Sequence, residues 1–257
     1  MDELRIEQRG PARWLILNRP DKRNALSRDL VRALHGAVEN AASQSEVRCV
    51  VMGGAGPMFC AGADLNEFRQ AEDPAILAAD GELLARLLES MANSPKPVIV
   101  RAHGAAIGGG VGLVAAADFA IAEMEAKFTL SEVRLGLTPA VISPFVLRAL
   151  GRRNTQAFML SSTPIDAHEA RRIGLVTQVV EAQALDAAID DLVERIAQAA
   201  PGALADVKRL LDGVEGLPLE AAREVTVQAL SERRMSAEGQ EGMAAFLEKR
   251  KPNWTQN

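Results

Sequence analysis

Hydrophobic positions change their period along the chain, and each change marks an element. Leu4 to Gln8 and Ala12 to Asn18 read as two strands joined at Gly10-Pro11. Leu4 and Ile6 alternate along the first. On the second, Trp14 and Ile16 fall on one side and Leu15 and Leu17 on the other, which suits strands covered on one or both faces. After Ser27, read as an N-cap, the period lengthens. Leu30, Leu34, Val38 and Ala41 (or Ala42) share one face of a helix to about Ser43. Val47 to Met52 is a compact strand of the buried type. Asp73-Pro74, a cap followed by a first-turn proline, opens a helix whose apolar face carries Leu84, Leu87, Leu88 and Met91.

Val98 to Arg101 is again β-rich. It breaks at His103-Gly104 and passes through Gly108, Gly109 and Gly110 into a small-residue helix ending near Asp118. Phe119–Ala122 and Lys127–Leu130 read as short strands, and Ser131 to Pro139 as a loop. Helices are expected from Ser143 to Leu150 and from Arg153 to Leu160. Asp166 and Glu169 form a capping-box-like start to a helix that Gly174 ends. Val176 to Val180 is a last strand. From Leu185 onward the pattern is helical, with Pro201, Pro218 and Ser236 opening later helices. Strands alternating with helices argue an α/β fold. No repeat at a solenoid period is present.

Composition narrows the function. A chain of 257 residues, 48% hydrophobic, can bury a sizeable core without disulfides or metal. A net charge of −5 with no clustered basic face argues against nucleic acid as a partner. Cys49 and Cys60 are not spaced as a metal or redox pair, and fit a reducing compartment. The charged start MDELRIEQRG lacks an apolar signal core, and Gly104 to Ala117 is too short to span a bilayer. A soluble, cytoplasmic protein without membrane partners is expected. His35, His103 and His168 show no ligand spacing, so no metal site is expected.

Two Gly-rich strand-to-helix loops, Gly53–Asp64 and Gly104–Gly112, carry the candidate chemistry. The first lacks a Gly-Lys-Ser/Thr ending, and the second has Leu113 where a dinucleotide fingerprint wants glycine or alanine. Such loops let backbone approach a ligand closely and aim free N–H groups at negative charge, on an anion or on an oxygen that becomes charged during reaction. Tight packing of a small-residue helix is the other reading of the glycines.

NRPDKRNALS (Asn18–Ser27), MFCAGADL (Met58–Leu65), KPVIVRAHGAAIGGGVGL (Lys96–Leu113), FTLSEVRLGLTP (Phe128–Pro139), DAHEARRIGLV (Asp166–Val176) and EGMAAFLEKRKPNW (Glu241–Trp254) together resemble the enoyl-CoA hydratase/isomerase (crotonase) superfamily in order and spacing. The resemblance implies a spiral of ββα turns over residues 1–197 and a helical oligomerisation region over 198–257. It implies an oxyanion hole made by the backbone N–H groups of Ala63 and Gly109. It aligns Glu132 with a catalytic glutamate, although alone that residue reads as a surface carboxylate beside Arg134. The family's second glutamate belongs where this chain has Gly112, so a two-carboxylate mechanism does not carry over. Asp80, Glu82, Glu123 and Glu125 are the nearby carboxylates available as its replacement. The stretches GGGVGLVAA and SEVRLGLTPAVISPFVLRALG are similar to a subgroup acting on branched glutaconyl-CoA-type substrates.

By the same resemblance, Arg23, Ala25, Ala61, Asp64, Leu65 and Asn66 line the CoA cleft, and Phe246 and Lys249 cover the adenine or its phosphates, often from a neighbouring subunit. The acyl wall is expected between Leu77 and Leu88 and from Val141 to Phe145. The implied partners are an acyl-CoA thioester and further copies of the chain, as a trimer or a dimer of trimers. No cofactor is implied beyond the CoA of the substrate. Hydration is the implied reaction. Double-bond isomerisation, decarboxylation and non-catalytic acyl-CoA binding stand as alternatives because of Gly112.

Overall fold

The alternating N-terminal strands pair as a hairpin. In the computed structural model, which describes residues 2–70 and 73–255, β1 (Leu4–Arg9) runs antiparallel to β2 (Ala12–Leu17). Ser27 caps α1 (Arg28–Ser43) by accepting the Leu30 N–H at 3.1 Å. β3 (Cys49–Gly54) begins two residues later than expected. A short helix, α2 (Leu65–Gln70), precedes α3 (Pro74–Ala92), which Asp73 caps through the Ala75 N–H.

β4 (Val98–Ala102), β5 (Ala105–Ile107) and α4 (Gly109–Ala116) follow, then β6 (Phe119–Glu123), β7 (Lys127–Thr129) and α5 (Ser143–Ser161). Gly151, with φ 70°, breaks α5 in two, where the sequence pattern also divides. Next come β8 (Ile165–Asp166), α6 (Ala167–Arg172), β9 (Gln178–Val180) and α7 (Leu185–Gln198). Asp166 caps α6 by accepting the Glu169 N–H, but the Glu169 carboxylate pairs with Arg172 instead of completing a capping box. The chain ends in α8 (Pro201–Val214), α9 (Leu219–Met235) and α10 (Ala237–Leu247).

The strands form two sheets. The larger has the order β1-β2-β3-β4-β6-β9 and is parallel from β2 onward; the smaller is β5-β7-β8. The chain steps from large sheet to small sheet to helix, through β4, β5 and α4, then through β6, β7 and α5. This is the ββα spiral.

Both faces of the large sheet are covered. Leu15, Leu17, Val50, Met52, Val98 and Val100 pack with α1, α3 and α4. Trp14, Ile16, Cys49, Val51 and Ile99 pack against Leu185, Ile189, Val193 and Ile196 of α7. Adjacent residues serve opposite cores, as a period of two dictates. Ile6 departs from its expected place. It lies on the edge strand and stays 52% exposed.

The tail also departs from a self-contained core. α9 buries none of its residues, and Leu230, Phe246 and Leu247 are exposed in the single chain. Among the described residues, no helix is long and apolar enough to cross a membrane.

Candidate active site

The small sheet is longer than its strands. Isolated bridges pair Leu26 with Ala63 and Cys60 with Ala106, so the segments around Leu26 and residues 60–64 continue the ladder beyond β5. The Leu26 N–H donates to the Gly62 carbonyl at 2.7 Å, and the Ile107 N–H to the Cys60 carbonyl at 2.9 Å. These bonds set the two Gly-rich loops side by side. At Gly62, with φ 86°, an added Cβ would lie 2.7 Å from the Ile107 carbonyl oxygen. Only glycine allows that approach.

The alignment leaves two donors unused. Among the described residues, neither the Ala63 N–H nor the Gly109 N–H has an acceptor. Gly109 is the first residue of α4, where helical N–H groups lack partners and the helix end is partially positive. Both residues line one cavity of about 370 Å³.

Glu132 enters the same cavity from the turn after β7. Its Oε1 lies 2.9 Å from where a Cβ on Gly108 would sit, and the φ of 52° at Gly108 favours glycine there. Its Oε2 is buried and has no hydrogen-bond partner. The surface pair with Arg134 therefore does not form. Desolvation pushes the Glu132 carboxyl above its ordinary value, opposed in part by backbone N–H groups at Ser131 and Glu132. Leu26, Val31, Leu77, Leu84 and Leu137 make the remaining wall mostly apolar.

The CoA-cleft residues divide. Ala61, Asp64 and Leu65 line the cavity. Asp64 accepts from Arg19 at 3.0 Å and from the Asn66 N–H, and these bonds hold its carboxyl below the ordinary value against desolvation. Arg23 and Ala25 lie on the adjoining loop, where the Arg23 carbonyl accepts the Ala61 N–H. Asn66, the second residue of α2, is outside the lining. Phe246 (83% exposed) and Lys249 sit at the end of α10 and are not part of this chain's cavity.

Of the four alternative carboxylates, only Asp80 lines the cavity, and it is held by both ends of the Arg28 guanidinium at 2.5 and 2.7 Å. Glu82 pairs with Arg86, and Glu123 accepts the Gly104 N–H. Glu125 is not in the lining.

Of the segments expected to form the acyl wall, Leu77, Leu83, Leu84, Val141 and Ile142 line the cavity, while Leu88 is fully buried outside it. Phe145 instead faces a second cavity beside Asp118. Arg28 was not legible as a site residue. Its place at the first position of α1, directly beyond the Leu26 bridge, is the only cue. His103 bonds the Gly56 carbonyl and contacts Arg101, a loop-packing role. Cys49 and Cys60 are buried free thiols, pushed up to about 12 by desolvation, which leaves them unreactive. No cluster able to hold a metal is present among the described residues.

Residues 14–257 match the family model described as enoyl-CoA hydratase/isomerase. An enoyl-CoA hydratase from Shewanella pealeana superposes with a TM-score of 0.94 at 36% identity, covering 98% of this chain and 96% of that one. Pseudomonas aeruginosa AtuE superposes with a TM-score of 0.94 at 34% identity over 99% and 100% of the two chains. The 1,2-epoxyphenylacetyl-CoA isomerase of Escherichia coli is 32% identical over 94% of each chain.

Proposed function

This chain belongs to the enoyl-CoA hydratase/isomerase family, and from that premise we propose that it adds water across the 2,3 double bond of an enoyl-CoA thioester. The observation that carries the reading is the convergence, in one cavity, of two unpaired N–H groups and one unpaired, desolvated carboxylate. The thioester oxygen sits between Ala63 and Gly109. Glu132 takes a proton from water as the hydroxide oxygen bonds to Cβ. The double-bond electrons move through Cα to the thioester oxygen, and the two N–H groups stabilise that enolate. Glu132 then returns the proton to Cα, so the net change is one water added. Each oxyanion donor in such a site typically contributes about 3–4 kcal/mol of transition-state stabilisation. A half-buried carboxylate with a raised pKa suits a group that must accept and then release a proton near neutrality.

The proposed substrate is a branched enoyl-CoA such as 3-methylglutaconyl-CoA, a reading supported by the apolar wall and the Gly112 stretch. Arg28, the one cation lining the cavity among the described residues, is already paired with Asp80, so a distal carboxylate would have to compete with that pair for it. Phe246 and Lys249 reach CoA in this reading from a neighbouring copy of the chain, assembled as a trimer or a dimer of trimers through the exposed tail.

Isomerisation or decarboxylation is the second reading. It is favoured by Gly112, which leaves one carboxylate where the family's hydratases often use two. Mass spectrometry of the acyl-CoA pool separates these readings. After incubation with 3-methylglutaconyl-CoA, and separately with crotonyl-CoA, the expected product is one water heavier. Loss of carbon dioxide, or no mass change in either pool, would overturn the hydratase reading.

A further inference from the structure

Gly112 is empty space only in the sequence. A Cβ placed there would lie 2.3 Å from Cγ2 and 3.0 Å from Cβ of Ile142, with Leu88 Cδ1 at 3.7 Å. No side chain fits at 112 unless Ile142 moves. Ile142 is held firmly: it is the N-cap of α5, its carbonyl accepts the Val146 N–H at 3.1 Å, and Pro144 follows in the first turn. It lines the cavity but is only 2% exposed, so nearly all of its volume is packed behind the cavity surface. Its neighbour Val141 faces the other way, 3.8 Å from where a Cβ on Gly81 of α3 would sit. The two residues thus plug the gap between α3 and α4, each against a glycine.

Position fixes what the plug faces. Gly108, the N-cap of α4, accepts the Gly112 N–H at 3.2 Å, so the two lie one helical turn apart, about 6 Å along the axis. Glu132 sits over the first and Ile142 over the second. Acyl carbons held within reach of Glu132 therefore extend next toward Ile142.

We propose that Ile142 is a specificity-determining residue that sets the depth of the acyl pocket at Cβ and beyond, by filling the recess over Gly112. This rests on the acyl-CoA reading above. Shortening Ile142 opens the recess toward Leu88 and admits bulkier substituents.

The test is the affinity of unreactive saturated thioesters, measured by calorimetry: butyryl-CoA, 3-methylbutyryl-CoA and 3,3-dimethylbutyryl-CoA. In Ile142→Ala the affinity ratio should shift toward the more substituted acyl groups by about fourfold per added carbon. Ile142→Val, which removes one carbon, should shift it less. Ratios unchanged in both variants, with binding retained, would overturn the role of Ile142 and leave the acyl-CoA reading standing. Absence of binding by the unmodified protein to all three thioesters would overturn the acyl-CoA reading itself. Packing is read independently. Gly112→Ala should lower Tm by about 5 °C through overpacking, and the same change made in Ile142→Ala, itself destabilised by the lost packing, should cost much less. A Gly112→Ala cost as large in the Ile142→Ala background as in the unmodified protein would show that Ile142 does not fill the recess.

Discussion

Glu132 is held at a cost to stability that its proposed work requires. Its carboxyl titrates above the ordinary range because burial removes water from Oε2 and supplies no cation in return. As the base toward water it must be ionised, so the acid limb of kcat/KM should fall at a higher pH than an exposed glutamate gives. Glu132→Gln should lower turnover by about 10²–10⁴-fold while leaving CoA affinity intact. Unchanged turnover would remove Glu132 from the mechanism. The stability effect has the opposite sign. With the folded pKa above the unfolded one, the folded state holds more protons between the two values. Stability therefore falls as pH rises through that window. Above it, Glu132→Gln should melt at a higher temperature than the unmodified protein, which a thermal scan at neutral pH checks. At this scale the sequence was legible where a motif names a residue, as at Ala63, Gly109 and Glu132. It was silent where position depends on a distant approach. Nothing in Pro139-Ala140-Val141-Ile142 says that Ile142 meets Gly112, because the two lie thirty positions apart and come together only through the packing of α5 on α4.

α4 is the element on which both ends matter. Its first N–H faces the cavity, and beyond its last turn Asp118 accepts from Lys208 of α8 at 2.7 Å and from the Val98 N–H at 2.8 Å. Burial pushes the Asp118 carboxyl up despite Lys208, so the pair is only partly compensated. Lys208→Met leaves that carboxylate without its cation and should destabilise the protein by about 3 kcal/mol. Adding Asp118→Asn should restore part of the loss, as chemical denaturation of the single and double variants would show. A double variant as unstable as Lys208→Met would assign the cost to α8 packing instead. Long amphipathic elements such as α1 and α7 were readable from period alone. α2, β5 and β8 were not, because runs of six, three and two residues carry too few periods to declare themselves. β5 and β8 exist because β7 lies between them and supplies their hydrogen bonds.

For the whole molecule, the exposed apolar side chains of the tail are the feature left unpartnered. Leu211, Leu230, Phe246 and Leu247 stand in solvent in the single chain, more than scattered surface apolarity accounts for. Assembly through this tail predicts that Leu230→Lys with Phe246→Ser shifts sedimentation from an oligomer to a single chain. If Phe246 also covers CoA across that contact, the same variant loses CoA affinity. An unmodified protein that sediments as a monomer would overturn the assembly. The large sheet's two-sided burial was visible in the alternation of Trp14 to Leu17. The tail's outward face was expected only through the resemblance, since period alone does not distinguish a helix packed on its own core from one whose apolar face stays exposed.

The ladder that joins Leu26, residues 60–64 and β5 has an evolutionary consequence. The two N–H groups it aligns are main-chain atoms, and no single codon change except one to proline can delete either. The carboxylates and the apolar wall of the cavity are side chains and are open to replacement, whereas Gly62, which sets the approach of the two loops, is not. Substitutions can therefore change the carboxylates and the shape of the apolar wall while the two N–H groups keep their place. A position such as 112 can be vacated, and its space taken by a neighbour, without dismantling the centre around which a new reaction would form.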